Sequence, residues 1–135
     1  MFTKYALSIT DAKAVAAAAI AEAERSKLTV TIAIVDDGGH LLYFERMDRS
    51  RLATIEAACA KAKTAALYRR PTKNYEEAIS SGQAFVLGVP DIAPVEGGVP
   101  LFYGGNSVGG IGVSGAPKED DGRIAAVGAA MLSDL

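Results

Sequence analysis

The sequence predicts an α+β fold, an antiparallel sheet with helices packed on it. Three observations predict it. Apolar segments return on themselves across turn residues at Asp37-Gly38-Gly39 and again at Gly104-Gly105-Asn106-Ser107, which reads as two β-hairpins. Helical patterns stand before, between and after the hairpins, giving the order α-β-β-α-α-β-β-β-α. No strand-helix-strand alternation occurs, which argues against a doubly wound parallel sheet.

Each element has its own reason. Thr10 is a suitable N-cap for a helix from about Asp11 to Ser26, with Val15 and Ile20 on its buried side. Thr29–Asp36 is β-branched and apolar on both faces, as expected of a central strand covered on both sides, or on one side and by a partner on the other. Leu41–Arg46 returns as its hairpin mate, with Leu42 and Phe44 on the inner face and Tyr43 and Glu45 on the outer. Ser50 is placed to cap a long helix to about Tyr68, whose apolar positions Leu52, Ile55, Cys59, Ala62 and Ala66 step by three and four. Pro71 ends it. A short helix follows Asn74, and Ser81-Gly82 closes it. Phe85–Val89 reads as a short strand or an ordered loop. Val99–Tyr103 and Val108–Ser114 form the second hairpin. Pro117 and Lys118 lead into a last helix, whose first-turn acids Glu119, Asp120 and Asp121 complement its positive end.

The chain has 135 residues, half of them hydrophobic and 22% charged, which predicts a single globular domain over 1–135. Net charge is −2 and no basic stripe is present, so nucleic acid and anionic membrane are poor partners. Cys59 is the one cysteine and His40 the one histidine, so neither an internal disulfide nor a Cys/His zinc cluster can form. The run Ala14–Ala21 has the length of a signal-peptide core, but Asp11, Lys13, Glu22 and Glu24 flank it. An amphipathic helix of a soluble cytoplasmic protein is expected instead.

Glycine is the most pointed feature. Eight of the fourteen glycines lie between Gly97 and Gly115. On a strand through Val108–Ser114, Gly110, Gly112 and Ser114 share one face. Glycine weakens a strand, so a bare face implies close approach of a helix, a subunit or a flat ligand. Packing is the first expectation, with the alanine-rich last helix (Ala125, Ala126, Gly128, Ala129, Ala130) as the smooth partner. Gly110 to Gly115 also matches G-x-G-x-x-G letter for letter. That motif serves a dinucleotide only at a first strand-to-helix turn, with an acidic residue on a following strand. Here one acidic-started helix follows, so neither NAD nor flavin binding is expected.

Other chemistry is sparse. His40, beside its hairpin turn, reads first as an exposed turn residue and second as a ligand or acid–base group. Asp36 reads as a turn-capping carboxylate before a perturbed one. Cys59, on the apolar stripe, is expected to be an inert thiol. Lys61 and Lys63 point to different sides of their helix, and Lys61 is taken as the solvated one.

Ala33–Asp48 (AIVDDGGHLLYFERMD), Lys61–Thr72 (KAKTAALYRRPT), and the GGVP and GGIGVSG segments near the end together resemble the GlcG/HbpS-like proteins, a family that includes the C-terminal domain of PduO-type adenosyltransferases. The resemblance runs from about Ile9 to Leu132. It implies a profilin-like or PAS-like sandwich around a central antiparallel sheet, frequent homo-oligomers, haem binding in some members, and genes beside small-molecule catabolic operons. Members that ligate haem can do so with a histidine early in the chain. The first helix here has none, so an imidazole ligand to the iron must be His40, with Tyr43, Tyr68, Tyr103 and Met47 as substitutes.

Three readings follow. One is a haem- or small-ligand-binding accessory protein that contacts its ligand through His40, Lys63, Gly97, Gly98, Gly110 and Gly112, with His40 as the metal ligand. A second is a small isomerase, hydrolase or tautomerase acting on an unsaturated organic acid, with His40 or Asp36 as acid–base group and Lys63 or Arg46 holding a carboxylate. The third is an oligomeric assembly module without a ligand. The resemblance favours the first.

Overall fold

Two hairpins and the helices before, between and after them fold into three layers. The computed structural model describes residues 1–133. In chain order the elements are α1 (Ile9–Arg25), β1 (Thr31–Asp36), β2 (Leu41–Arg46), α2 (Thr54–Tyr68), α3 (Lys73–Ser80), a 3-10 turn (Ala84–Gly88), β3 (Gly98–Tyr103), β4 (Asn106–Ser114) and α4 (Lys118–Ser133). The four strands form one antiparallel sheet in the order β2-β1-β4-β3. The segment 85–89, read as strand or ordered loop, is the 3-10 turn and stands outside the sheet.

Strand β1 explains the layering. Ile32 and Ile34 point into a core with Val15, Ala19, Ile111, Val113 and Ile124, while Ala33 and Val35 point oppositely onto Ala58, Ala62 and Ala66 of α2. Both faces of the strand are therefore covered within one chain, as its doubly apolar pattern predicts. Helices α1 and α4 lie on the first face and α2 alone on the second. Inner and outer faces of β2 consequently lose their distinction. Phe44 packs toward α2, whereas Leu42 and Tyr43 both pack toward the α1/α4 core. A register shift at Ile34/Val35, which sets Leu41 rather than Leu42 opposite Val35, turns Leu42 to the same side as Tyr43.

Helix ends also differ from the sequence reading. Ser8, not Thr10, caps α1, in a reciprocal capping box with Asp11. Ser50 does not cap α2. Thr54, in the first turn of α2, instead shares a buried 2.8 Å hydrogen bond with Thr31 of β1. The β3–β4 turn is tighter than expected, with Gly104 and Gly105 both at positive φ, as a two-residue hairpin turn demands.

The glycine face of β4 packs on a helix, and the helix is α2 rather than α4. A Cβ at Gly112 would overlap the Ala58 carbonyl oxygen and lie 2.6 Å from the Ala62 amide nitrogen. One at Gly110 would collide with the Ala62 carbonyl oxygen. Backbone meets backbone here because neither side carries more than a methyl group. Helix α4 instead takes the Ile111 side, where Gly128 lets α4 close on α1 beside Ala19.

Candidate functional site

The β1–β2 turn is built by Asp36. Its Oδ1 accepts the Gly38 and His40 backbone N–H groups, each at 2.9 Å, so the carboxylate caps the turn. Gly39 takes φ 82°, and a Cβ there would lie 2.9 Å from Lys63 Cγ and 3.6 Å from Leu67. The turn thus rests on the outer side of α2. The His40 side chain is 83% exposed, with Nδ1 3.4 Å from Asp36 Oδ1. Lys63 Nζ stands 3.5 Å from Asp91 Oδ1, above a shallow hollow of about 210 Å³ that Thr64 helps to line. The Thr64 hydroxyl fixes the wall of that hollow by accepting the Ala93 N–H at 2.9 Å. His40 follows Gly39, whose backbone rests on Lys63 and Leu67, so His40 and Lys63, both singled out in the sequence, flank the same turn, with Leu41 and Leu67 exposed.

Gly97, Gly98, Gly110 and Gly112 are not on that surface. All four are covered by α2, which leaves no room for a ligand against them. Gly97, at φ 134°, is grazed by Lys61, and a Cβ there would stand 2.8 Å from its Nζ. Lys61, expected in solvent, is 5% exposed. Its ammonium donates to the Val113 carbonyl at 3.0 Å and to Asp121 Oδ2 at 3.3 Å. Asp121 Oδ1 accepts the Ala116 N–H at 3.0 Å, and burial pushes its carboxyl above the usual carboxylate range against the pull of Lys61. The sequence reading placed Ala62 and Ala66 correctly but missed this pair, because it extended their stripe through Leu52, Ile55 and Cys59. The buried stripe is Ala58, Ala62, Ala65 and Ala66, and Lys61 falls within it. The spacing of those alanines was the available signal.

The substitute iron ligands are mostly engaged. Tyr43 donates to Glu45 at 2.7 Å, Tyr68 donates to the Pro90 carbonyl, and Met47 Sδ accepts the Val30 N–H. Burial raises the half-buried Cys59 thiol, which suits an inert group. Tyr103 differs. It meets Tyr5 edge to face, ring centroids 4.9 Å apart at 84°, beside a half-open cavity of about 280 Å³. Leu7, Val108 and Leu132 form its apolar lining and Asp11 its acidic one.

Among the described residues no helix is long and apolar enough to cross a membrane, and no three His, Cys, Asp or Glu side chains cluster as metal ligands do. The G-x-G-x-x-G match lies along β4 and runs out of its end, with Gly110 and Gly112 inside the strand.

Comparison with known proteins places this architecture. Protein GlcG of Escherichia coli K12 is 41% identical over 114 residues, covering 84% of this chain and 85% of GlcG. A double mutant of Streptomyces reticuli HbpS superposes with TM-score 0.88 at 32% identity, covering 98% of this chain and 90% of that one. PduOC, solved as a haem complex, superposes with TM-score 0.85 at 29% identity, covering 94% and 95%. The family model described as "Haem degrading protein HbpS-like" matches residues 7–130. With that model spanning nearly the whole chain and the same layered sheet in its structural neighbours, the chain belongs to the HbpS-like family.

Proposed function

We propose that this protein binds haem, or a comparably flat anionic small molecule, on the surface where the β1–β2 turn meets α2, as an accessory protein of small-molecule catabolism. One observation carries the proposal: the only imidazole of the chain stands on the same surface as Lys63, with its Nδ1 facing a carboxylate. A metal-binding histidine commonly offers one ring nitrogen to the metal and the other to a carboxylate or carbonyl. Asp36 Oδ1, 3.4 Å from Nδ1, is the carboxylate on that side of the ring, so Nε2 is the nitrogen that would meet iron. Lys63 supplies a cation for a propionate, and exposed Leu41 and Leu67 supply apolar surface for a ring. These residues would hold the group through a single imidazole on an open surface. The PduOC haem complex shows that this fold accommodates haem in a relative. Bound haem would supply an iron centre that takes up small ligands and exchanges electrons.

The enzymatic alternative is less well supported by the same turn. Asp36 already accepts two backbone N–H groups, so it serves the turn better than it serves proton transfer. Titrating the protein with haemin tests the binding reading. A saturable Soret change is expected. His40→Ala should alter the band and weaken binding, and Lys63→Glu should weaken binding without altering the band. A Soret response no different from that of an unrelated acidic protein would refute the proposal.

A further inference from the structure

The cavity beside the first helix stands apart from the haem proposal, because none of its lining residues belongs to the turn or to α2. We propose that it binds a compact alkylated ammonium cation. Tyr5 and Tyr103 meet at 84° and so form two adjoining walls of an aromatic corner. Leu7, Val108 and Leu132 add the apolar lining. The one charged lining residue is Asp11, and it takes part in no ion pair among the described residues. Both bonds that Asp11 accepts from Ser8, one from the backbone N–H at 3.2 Å and one from the hydroxyl at 2.8 Å, fall on Oδ2. Oδ1 takes neither of those bonds.

This composition selects by charge and by methylation. Aromatic faces attract cations through the ring quadrupole, and a carboxylate adds to that attraction while opposing an anion. The positive end of α1 does not reverse the sign, since the Ser8–Asp11 capping box already answers it. Lys4, next to Tyr5 in the chain, is committed to Asp37 at 2.7 Å. A primary ammonium carries three donors, and Asp11 is the only charged acceptor among the cavity's lining side chains. An alkylated ammonium hides most of its charge behind methyl groups that suit Leu7, Val108 and Leu132. A cavity of about 280 Å³ is near the lower bound for small-molecule sites, which favours a compact ligand.

Choline is the probe, with its uncharged isostere 3,3-dimethylbutanol and the acid 3,3-dimethylbutanoate as controls, measured by calorimetry and by backbone amide shifts. Choline should bind saturably, at least about tenfold more tightly than the alcohol. Its amide shifts should centre on Leu7, Asp11 and Val108. Asp11→Asn keeps a side-chain carbonyl for the Ser8 N–H but removes the charge, and should reduce the preference for choline over the alcohol. Tyr5→Leu, which removes the other wall of the corner, should weaken choline binding while leaving the Soret titration unchanged, which separates this site from the haem surface. Equal or tighter binding of the alcohol or the acid, absence of saturable choline binding, or shifts centred elsewhere would overturn the proposal. If Asp11→Asn proves unfolded, the comparison of the three probes on the unsubstituted protein decides.

Discussion

Gly112 tests whether this fold is held by contact between bare backbones. Replacing glycine by alanine within a strand ordinarily helps, because it reduces the freedom of the unfolded chain. Here the added methyl would have to occupy the place of the Ala58 carbonyl oxygen, which is backbone and cannot rotate away. Gly112→Ala should therefore destabilise by about 1–3 kcal/mol or more, read as a lower denaturation midpoint. A variant as stable as the parent would mean that α2 does not seat on β4. The same residue shows how far sequence reading reaches. A face of Gly110, Gly112 and Ser114 announces that something comes close. It does not say what, because two alanine-rich helices follow the same rule and only the topology decides between them. His40 and Asp36 were legible for a local reason: a turn carboxylate captures N–H groups two and four residues on, whatever the rest of the chain does.

Among the elements, α2 carries the largest departure from sequence expectation. Alanine gives a helix little amphipathic contrast: Ala62 and Ala66 of the expected stripe are buried, but Leu52, which set its start, is 73% exposed, and Ile55 and Cys59 are only partly buried. The correct phase brings Lys61 inside, where it joins α2 to the Val113 carbonyl of β4 and to Asp121 of α4. Lys61→Met keeps the bulk but leaves Asp121 buried without its cation. Breaking one half of a buried pair costs about 3–5 kcal/mol, and that loss is expected at neutral pH. The pH dependence has a definite sign. Burial already holds the Asp121 carboxyl above its usual range, and loss of Lys61 raises it further. A carboxyl whose folded value exceeds its unfolded value binds more protons when folded, so its penalty falls as pH falls. The deficit of Lys61→Met relative to the parent should shrink between about pH 8 and about pH 5, measured by urea midpoints. A deficit constant over that span would show that Asp121 does not titrate there. The β4 segment yields a second expectation. With Gly110 and Gly112 under α2 and acids opening α4, calorimetry with NAD should give no saturable heat, and micromolar binding would contradict this reading of the motif.

At the scale of the whole molecule, the first argument for self-association has dissolved into the fold. The doubly apolar β1 invited a partner, but α1 and α4 on one face and α2 on the other cover it completely. What remains is at the surface. Leu52, Phe85 and Leu87 are 73%, 62% and 74% exposed, and Phe102 and Met131 are exposed as well. Single exposed apolar residues are ordinary, but these five, outside the residues assigned to either ligand surface, favour burial against a second copy. The sheet points the same way, since β2 and β3 are both edge strands whose outer hydrogen-bonding groups have no strand beside them. Net charge of only −2 offers little repulsion between copies. We therefore expect a homo-oligomer. Light scattering at micromolar concentration should give a mass that is a multiple of 14.0 kDa, and the mass should fall on dilution if the contact is modest. A concentration-independent mass of 14.0 kDa would show that these residues stay in water and that the fold is complete as one chain.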